Sequence, residues 1–273
     1  MYIFCLLVAL IIILLLFMYR LFSSSNSINE DNNILPNKIN DLENYNQDSL
    51  DLFNNYERYR LGDAFYLTTS KKHWNTNINN NLDFFVDKYK NKILSEYVLL
   101  SNYKENDWDS LIEIVNNKFY RDININKSTD CLMHVRVGDV TENCSDEFLN
   151  VFYKNKKPKY KYPNPKYGCR YIKPLKYFQQ KIKKLIEMGI TKVYLMAGAH
   201  IKLPSYKYST YYINKIVEEI EKVGLQVELK LGGSPDDDLL FSMNFGYFIP
   251  SGGQYSRLIK ELNEKINPDF TII

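Results

Sequence analysis

The chain has 273 residues, a hydrophobic content of 45%, an aromatic content of 15% and a formal net charge of +3. This length suggests one or two domains, and the apolar content is enough for a sizeable hydrophobic core. The small net charge argues against the strongly basic face that a nucleic-acid-binding protein needs, so we expect no nucleic-acid partner.

The cysteines do not predict a disulfide-built fold, because four are too few at this length. Cys5 lies in an apolar N-terminal run, and Cys131 is interpreted as a buried core residue. Cys144 and Cys169 can pair in an oxidising compartment, but the sequence leaves their state open. No Cys-x-x-Cys pair or histidine cluster indicates zinc, and we predict no metal site.

Residues 1–22 predict a transmembrane anchor. Residues 2–19 contain no charged side chain, and a helix of this length spans roughly 27 Å, about one hydrocarbon core. The run is longer than that of a signal peptide and has no basic residue before it, although the serines at 23–25 leave cleavage as an alternative. Arg20 alone favours a cytosolic location for the chain that follows, so the orientation stays open.

A polar region and then a region with predicted helices follow the anchor. Residues 23–55 are rich in Asn and Asp and are interpreted as a flexible stem or, equally, as low-complexity filler. Residues 56–129 form a short N-terminal region of the folded part, beginning with a turn near residues 60–63. Apolar periodicity there predicts helices at 82–100 and 107–119, with Asp107 as the N-cap of the second.

From residue 130 onward strands alternate with helices. Residues 146–171 interrupt this pattern and are interpreted as a solvated loop or, alternatively, a lid or acceptor-facing loop. Ser234 is the expected N-cap of the helix predicted at 235–243. We predict strands at 131–135, 192–197, 226–231 and 246–249, and helices at 173–188, 210–223, 235–243 and 253–265. The alternation indicates an α/β fold with a Rossmann-like parallel sheet across residues 130–273.

The turn after the first strand carries the first candidate ligand group. Arg136 follows the strand within His134-Val135-Arg136-Val137-Gly138-Asp139, where open α/β sheets bind their ligands. The planar guanidinium can hold phosphate oxygens in a bidentate way, and Gly138 permits a sharp turn. The alternative is a structural ion pair between Arg136 and Asp139.

Two later loops lie at the same edge of the predicted sheet. In residues 250–256, Gly252 and Gly253 allow close approach of a phosphate and Ser256 offers a hydroxyl at the helix start, or serves only as an N-cap. Asp237 and Asp238 are placed to hold a ribose or base, or only to compensate the helix dipole. Together the loops predict a nucleoside diphosphate site. No Walker A or Gly-x-Gly-x-x-Gly motif follows a strand, which counts against ATP hydrolysis and dinucleotide redox chemistry.

The segment 134–139 resembles the His-x-Arg-x-Gly-Asp type motif of the fucosyltransferase-like GT-B superfamily, which includes α1,2-, α1,6- and protein O-fucosyltransferases. Residues 248–256 are similar to its later motifs, in which an aromatic–Ser pair, here Tyr255-Ser256, opens a helix. The similarity covers roughly residues 130–265, the donor-binding half. Val137 occupies the position of a second Arg that is common in the first motif, and the N-terminal half is short.

The resemblance implies a GT-B-like fold with a reduced N-terminal half. It also implies an inverting, metal-independent glycosyltransferase that transfers a sugar, with fucose favoured, from a GDP-sugar to a glycan or protein acceptor. No cofactor beyond this donor is expected. The implied location is a single-pass, type II protein of the ER or Golgi membrane. Two alternatives stay open: a degenerate glycosyltransferase that binds without turnover, and a membrane-anchored structural or interaction protein.

Residue roles also follow from the resemblance. Arg136 would contact the β-phosphate and stabilise the leaving group, Asp139 would orient Arg136, and His134 would support the loop or touch the nucleotide. The backbone N–H groups of 253–256 would share the phosphate charge, and Asp237 or Asp238 would recognise the nucleotide. The full set of expected substrate-binding residues is Gly138, Asp237, Asp238, Ser251, Gly252, Gly253, Tyr255 and Ser256.

Overall fold

A computed structural model describes residues 61–66, 90, 92–102, 104–145, 147–160, 164–199 and 202–273. The expected anchor at 1–22 and stem at 23–55 lie outside these residues, as do residues 82–89 and 91 of the expected helix at 82–100. The described remainder of that helix is helical from Ile93 to Leu100. In the ranges that are described, no helix is both long and apolar enough to cross a membrane.

The described elements follow the predicted alternation. Helices α1 (Leu61–Tyr66), α2 (Ile93–Leu100) and α3 (Trp108–Lys118) precede the sheet. The elements that follow are β1 (Asp130–His134), α4 (Asp139–Glu142), α5 (Phe148–Lys154), a 3₁₀ helix (Pro165–Tyr171), α6 (Leu175–Glu187), β2 (Lys192–Ala197), α7 (Lys207–Glu221), β3 (Gln226–Leu231), α8 (Pro235–Ser242), β4 (Tyr247–Pro250), α9 (Gly253–Ile266) and β5 (Thr271–Ile272). The predicted strands and helices after residue 130 are confirmed, with their ends shifted by up to three residues.

The strands form one parallel sheet in the order β3-β2-β1-β4-β5. At the end of β1, His134 lies opposite Met196 of β2 on one side and Pro250 of β4 on the other. This is the strand order of doubly wound Rossmann-like folds, in which the order reverses between β1 and β4. The crevice beyond the carboxyl ends of these two strands is the switch point where such folds bind ligands.

Alternating strand residues divide the core into two layers. Cys131 and Met133 face the layer that contains α5, α6 and α7, whereas Leu132 faces the layer that contains α1, α2, α3, α8 and α9. The described part of residues 56–129 therefore consists of helices that share a core with the sheet. In that part the chain forms no second parallel sheet.

The interpretation of residues 146–171 as a solvated loop was wrong at both ends of the segment, which form α5 and the 3₁₀ helix with the buried Cys169. In α5, Phe148 and Phe152 are fully buried. Both rings pack edge-on against the buried Tyr212 of α7, with centroids 5.7 Å and 5.0 Å away. The i, i+4 spacing of the two phenylalanines is helical, but the Lys-, Tyr- and Pro-rich sequence that follows obscured it.

A disulfide joins Cys144, just after α4, to Cys169 in the 3₁₀ helix, while Cys131 is a buried free thiol. The two half-cystines are 25 residues apart in the chain. Closing a loop of this length reduces the entropy of the unfolded chain and stabilises the fold by about 3 kcal/mol.

We therefore expect the Cys144→Ala/Cys169→Ala variant to lose about 3 kcal/mol of unfolding free energy in urea titrations. A reducing agent should lower the urea midpoint of the wild type and leave that of the double variant unchanged. A wild-type midpoint that does not respond to reduction would show that the disulfide contributes nothing to stability.

Candidate functional site

His134 and Ser256 form a buried pair at the base of the crevice. His134 is the last residue of β1, and its Nδ1 lies 2.8 Å from the Ser256 hydroxyl in the first turn of α9. The exposed fractions of the two residues are 7% and 1%. Burial, with a smaller contribution from the charge of Arg136, lowers the pKa of His134 to about 3, so the ring is neutral. The pair joins β1 to α9.

Arg136 lies two residues after His134, and its guanidinium packs against the glycine turn formed by Gly252 and Gly253. Its backbone N–H donates to the hydroxyl of the buried Ser251, 2.7 Å away, which joins the loop after β1 to the loop after β4. Its guanidinium carbon lies 4.5 Å from the centre of the Tyr171 ring, and its Nη2 lies 3.9 Å from Asp139 Oδ1. Two of the three predicted loops are thus brought together by direct contacts.

The glycine turn has a backbone that few other residues adopt. Gly252 and Gly253 have φ values of +103° and +82°, and Gly252 occupies the N-cap position of α9. The alternative interpretation of Ser256 as the N-cap was wrong, because its hydroxyl is directed inward to His134. The first four N–H groups of a helix have no intrahelical partner, and they give this end of α9 a partial positive charge.

The close approach of Arg136 to this turn depends on the absence of a side chain at Gly253. A Cβ added there would lie 2.5 Å from Arg136 Nη1, inside van der Waals contact. We expect Gly253→Ala to lose about 1 to 2 kcal/mol of stability from its positive φ and also to displace the guanidinium.

Gly224→Ala is the matched control, because its φ is +84° and an added Cβ would meet no atom within 4 Å. Both variants should lose similar stability in urea titrations, but only Gly253→Ala should weaken GDP binding measured by calorimetry. Equal GDP affinities for the two variants would contradict the packing of Arg136 on Gly253.

Gly138 and Asp139 shape the start of α4. Gly138 has a φ of +77°, and its N–H donates to the Ser209 hydroxyl over 3.0 Å, so this donor is already used within the protein. Asp139 faces Arg136, as the orienting role requires, although that role itself stays a prediction. Glu142 accepts from the Ser209 N–H at 2.8 Å and its hydroxyl at 2.7 Å, which joins α4 to the start of α7.

The acidic loop at the start of α8 is largely engaged in local contacts. Ser234 caps α8 as predicted: it accepts from the Asp237 N–H at 3.1 Å, and its hydroxyl donates to the Asp237 carboxylate at 2.7 Å. Tyr255 of α9 donates to the Pro235 carbonyl, so the starts of α8 and α9 are neighbours. Recognition of a nucleotide by Asp237 or Tyr255 stays a prediction.

Asp238 differs from the other acidic residues of this loop. It is only 4% exposed, and its Oδ1 has no hydrogen-bond partner, although Lys230 Nζ lies 3.7 Å away. Burial raises the pKa of Asp238 to about 7, while the charge of Lys230 opposes the rise. A buried acceptor of this kind is costly unless a ligand or a proton satisfies it.

Sequence reasoning missed two side chains beside the turn. Tyr171 of the 3₁₀ helix lies against Arg136, and the Cε and Nζ atoms of Lys173 would each lie 3.8 Å from a Cβ added at Gly252. Neither belongs to a recognisable motif, and the packing of Tyr171 against Arg136 could not be predicted from the sequence. Among the described residues, no group of three or more His, Cys, Asp or Glu side chains is arranged to hold a metal ion.

No family model, curated protein or solved structure matches this chain. The fucosyltransferase-like resemblance therefore stays a prediction based on residues 134–139 and 248–256. The site can be interpreted from its own chemistry: a guanidinium, a positive-φ glycine pair and a helix start converge at the sheet's switch point, an arrangement suited to an anion.

Proposed function

We propose that this protein is a glycosyltransferase that binds the diphosphate of a GDP-sugar in the crevice between β1 and β4. Fucose is the favoured sugar and a glycan or glycoprotein the acceptor. The reaction inverts the anomeric centre and needs no metal. The observation that carries the proposal is the contact of Arg136 with the Gly252–Gly253 turn, beside the hydrogen bond from the Arg136 backbone to Ser251.

The chemistry follows from where charge develops. When the bond between the sugar and the β-phosphate breaks, negative charge grows on the phosphate oxygens. A fixed guanidinium and the N–H groups at the start of α9 are oriented toward that charge before the reaction, which is usually the largest single contribution to catalysis. Asp139 holds Arg136, and His134 with Ser256 holds the two loops in register.

Binding without turnover is a second candidate, and the environment of His134 favours it. An inverting transfer is assisted by a base that takes a proton from the acceptor hydroxyl. His134 is too weak a base, because burial lowers its pKa to about 3 and its Nδ1 bonds to Ser256. Asp139, the carboxylate in the same crevice, is engaged in an ion pair with Arg136 and so does not offer itself as the base.

An acceptor-dependent assay separates these two candidates. The full-length chain is incubated with GDP-fucose and a panel of glycan and glycoprotein acceptors, and the release of GDP is measured with and without EDTA. GDP release that requires an acceptor and persists in EDTA supports the transferase. GDP binding without any transfer supports the binding protein, and transfer from UDP-sugars alone would contradict the proposed donor.

A further inference from the structure

We propose that Lys173 is a second phosphate-binding cation of this site and that it makes the site selective for a nucleoside diphosphate over the monophosphate. This inference rests on the proposed function, and it adds a residue from outside the three predicted loops. Lys173 lies between the 3₁₀ helix and α6.

The two cations approach successive residues of the same turn. Lys173 Nζ would lie 3.8 Å from a Cβ at Gly252, and Arg136 Nη1 would lie 2.5 Å from a Cβ at Gly253. Successive Cα atoms are about 3.8 Å apart, so the charges flank a short stretch of backbone. An anion that reaches the N–H groups of this turn lies near both a guanidinium and an ammonium.

The backbone of Lys173 is held firmly in place. The hydroxyl of the fully buried Tyr212 accepts from the Lys173 N–H at 2.8 Å and lies 2.9 Å from the Lys173 carbonyl oxygen, to which it donates. Tyr177, one turn farther along, donates to the Pro250 carbonyl at 2.6 Å, and its ring lies 5.3 Å from Lys173 Nζ. These contacts join the segment that carries the ammonium to the end of β4.

The charges beside the turn favour a second cation besides Arg136. Arg136 and Asp139 together carry no net charge, whereas a diphosphate brings at least two negative charges. Val137, the neighbour of Arg136, supplies no positive charge, because its apolar side chain is 1% exposed and packs in the layer that contains α5, α6 and α7. Among the described residues, no carboxylate forms an ion pair with Lys173.

The positions of the two cations also predict that the site binds a diphosphate more tightly than a monophosphate. A diphosphate can extend along the turn and contact both cations, whereas a monophosphate bound at Arg136 leaves Lys173 without a partner. Loss of one charge-assisted hydrogen bond reduces affinity by about tenfold or more. Removal of the Lys173 charge should therefore weaken the diphosphate selectively.

The test is calorimetric titration of the full-length wild type, Lys173→Gln, Lys173→Arg and the control Lys176→Gln with GDP and with GMP. Lys176 is an exposed lysine at the start of α6, three residues after Lys173. We expect Lys173→Gln to weaken GDP about tenfold and GMP less than about twofold. Lys173→Arg should retain most of the GDP affinity, and Lys176→Gln should match the wild type.

Unchanged GDP affinity in Lys173→Gln, or an equal loss for GDP and GMP, overturns the assignment of Lys173 while the proposed function stands. Failure of the wild type and of Lys176→Gln to bind GDP overturns the proposed function, and the role of Lys173 falls with it.

Discussion

Replacement of Arg136 by Ala is expected to weaken GDP binding by at least about 100-fold, the effect of losing a bidentate, charge-assisted contact with phosphate. Arg136→Lys should recover only part of this loss, because an ammonium cannot form two parallel hydrogen bonds as a guanidinium does. Calorimetric titration with GDP measures both effects. The residue lies beside the glycine turn and is only 21% exposed in its side chain, so the ligand contact is shielded from solvent.

Arg121→Ala is the control for this experiment, because Arg121 is an exposed arginine in the loop before β1. It should bind GDP as the wild type does. A urea titration of each variant shows whether the fold persists, since Arg136→Ala also leaves Asp139 without its ion pair. Wild-type GDP affinity in a folded Arg136→Ala protein would remove Arg136 from the site.

Replacement of Asp238 by Asn is expected to stabilise the free protein above pH 7. Folding raises the pKa of this carboxyl from 3.8 to about 7, mainly by burial and also through the charge of Asp237, with Lys230 acting in the opposite direction. The group therefore favours folding when protonated, and this advantage declines as pH rises from about 4 to about 7. The whole shift corresponds to roughly 4 kcal/mol.

Urea titrations of the wild type and Asp238→Asn between pH 4 and pH 8 measure this effect. The two proteins should have similar unfolding free energies near pH 4, and the variant should be more stable by a few kcal/mol at pH 8. Asp269→Asn serves as the control, because Asp269 is an exposed aspartate in the loop before β5, outside the acidic loop of α8. A difference between wild type and Asp238→Asn that does not change with pH would contradict the shifted pKa.

Much of the sheet could be predicted because its strands are short apolar runs bounded by turn residues. The strands at 192–197 and 226–231 have the predicted ends, and Gly189 and Gly224, which follow helices α6 and α7, have positive φ. The order of the strands is a property of three-dimensional packing, and periodicity along the chain does not determine it. The two-residue strand β5 is too short to give a pattern.

The site was predicted as a set of loops, but the direction of its side chains was not. Ser251 and Ser256 lie at the expected turn, yet both hydroxyls bond to residues of the β1 segment. The pairing of Cys144 with Cys169 and the position of Lys173 beside Gly252 depend on how the long β1–β2 connection folds, and no local signal encodes its path.

Calorimetric titration of the chain with GDP, UDP and ATP under identical conditions shows whether the crevice between β1 and β4 binds a nucleoside diphosphate. We expect micromolar binding of GDP, no binding of UDP or ATP, and loss of the GDP signal in Arg136→Ala. A folded wild-type protein that binds none of these nucleotides would contradict the assignment of the β1–β4 crevice as a nucleoside diphosphate site.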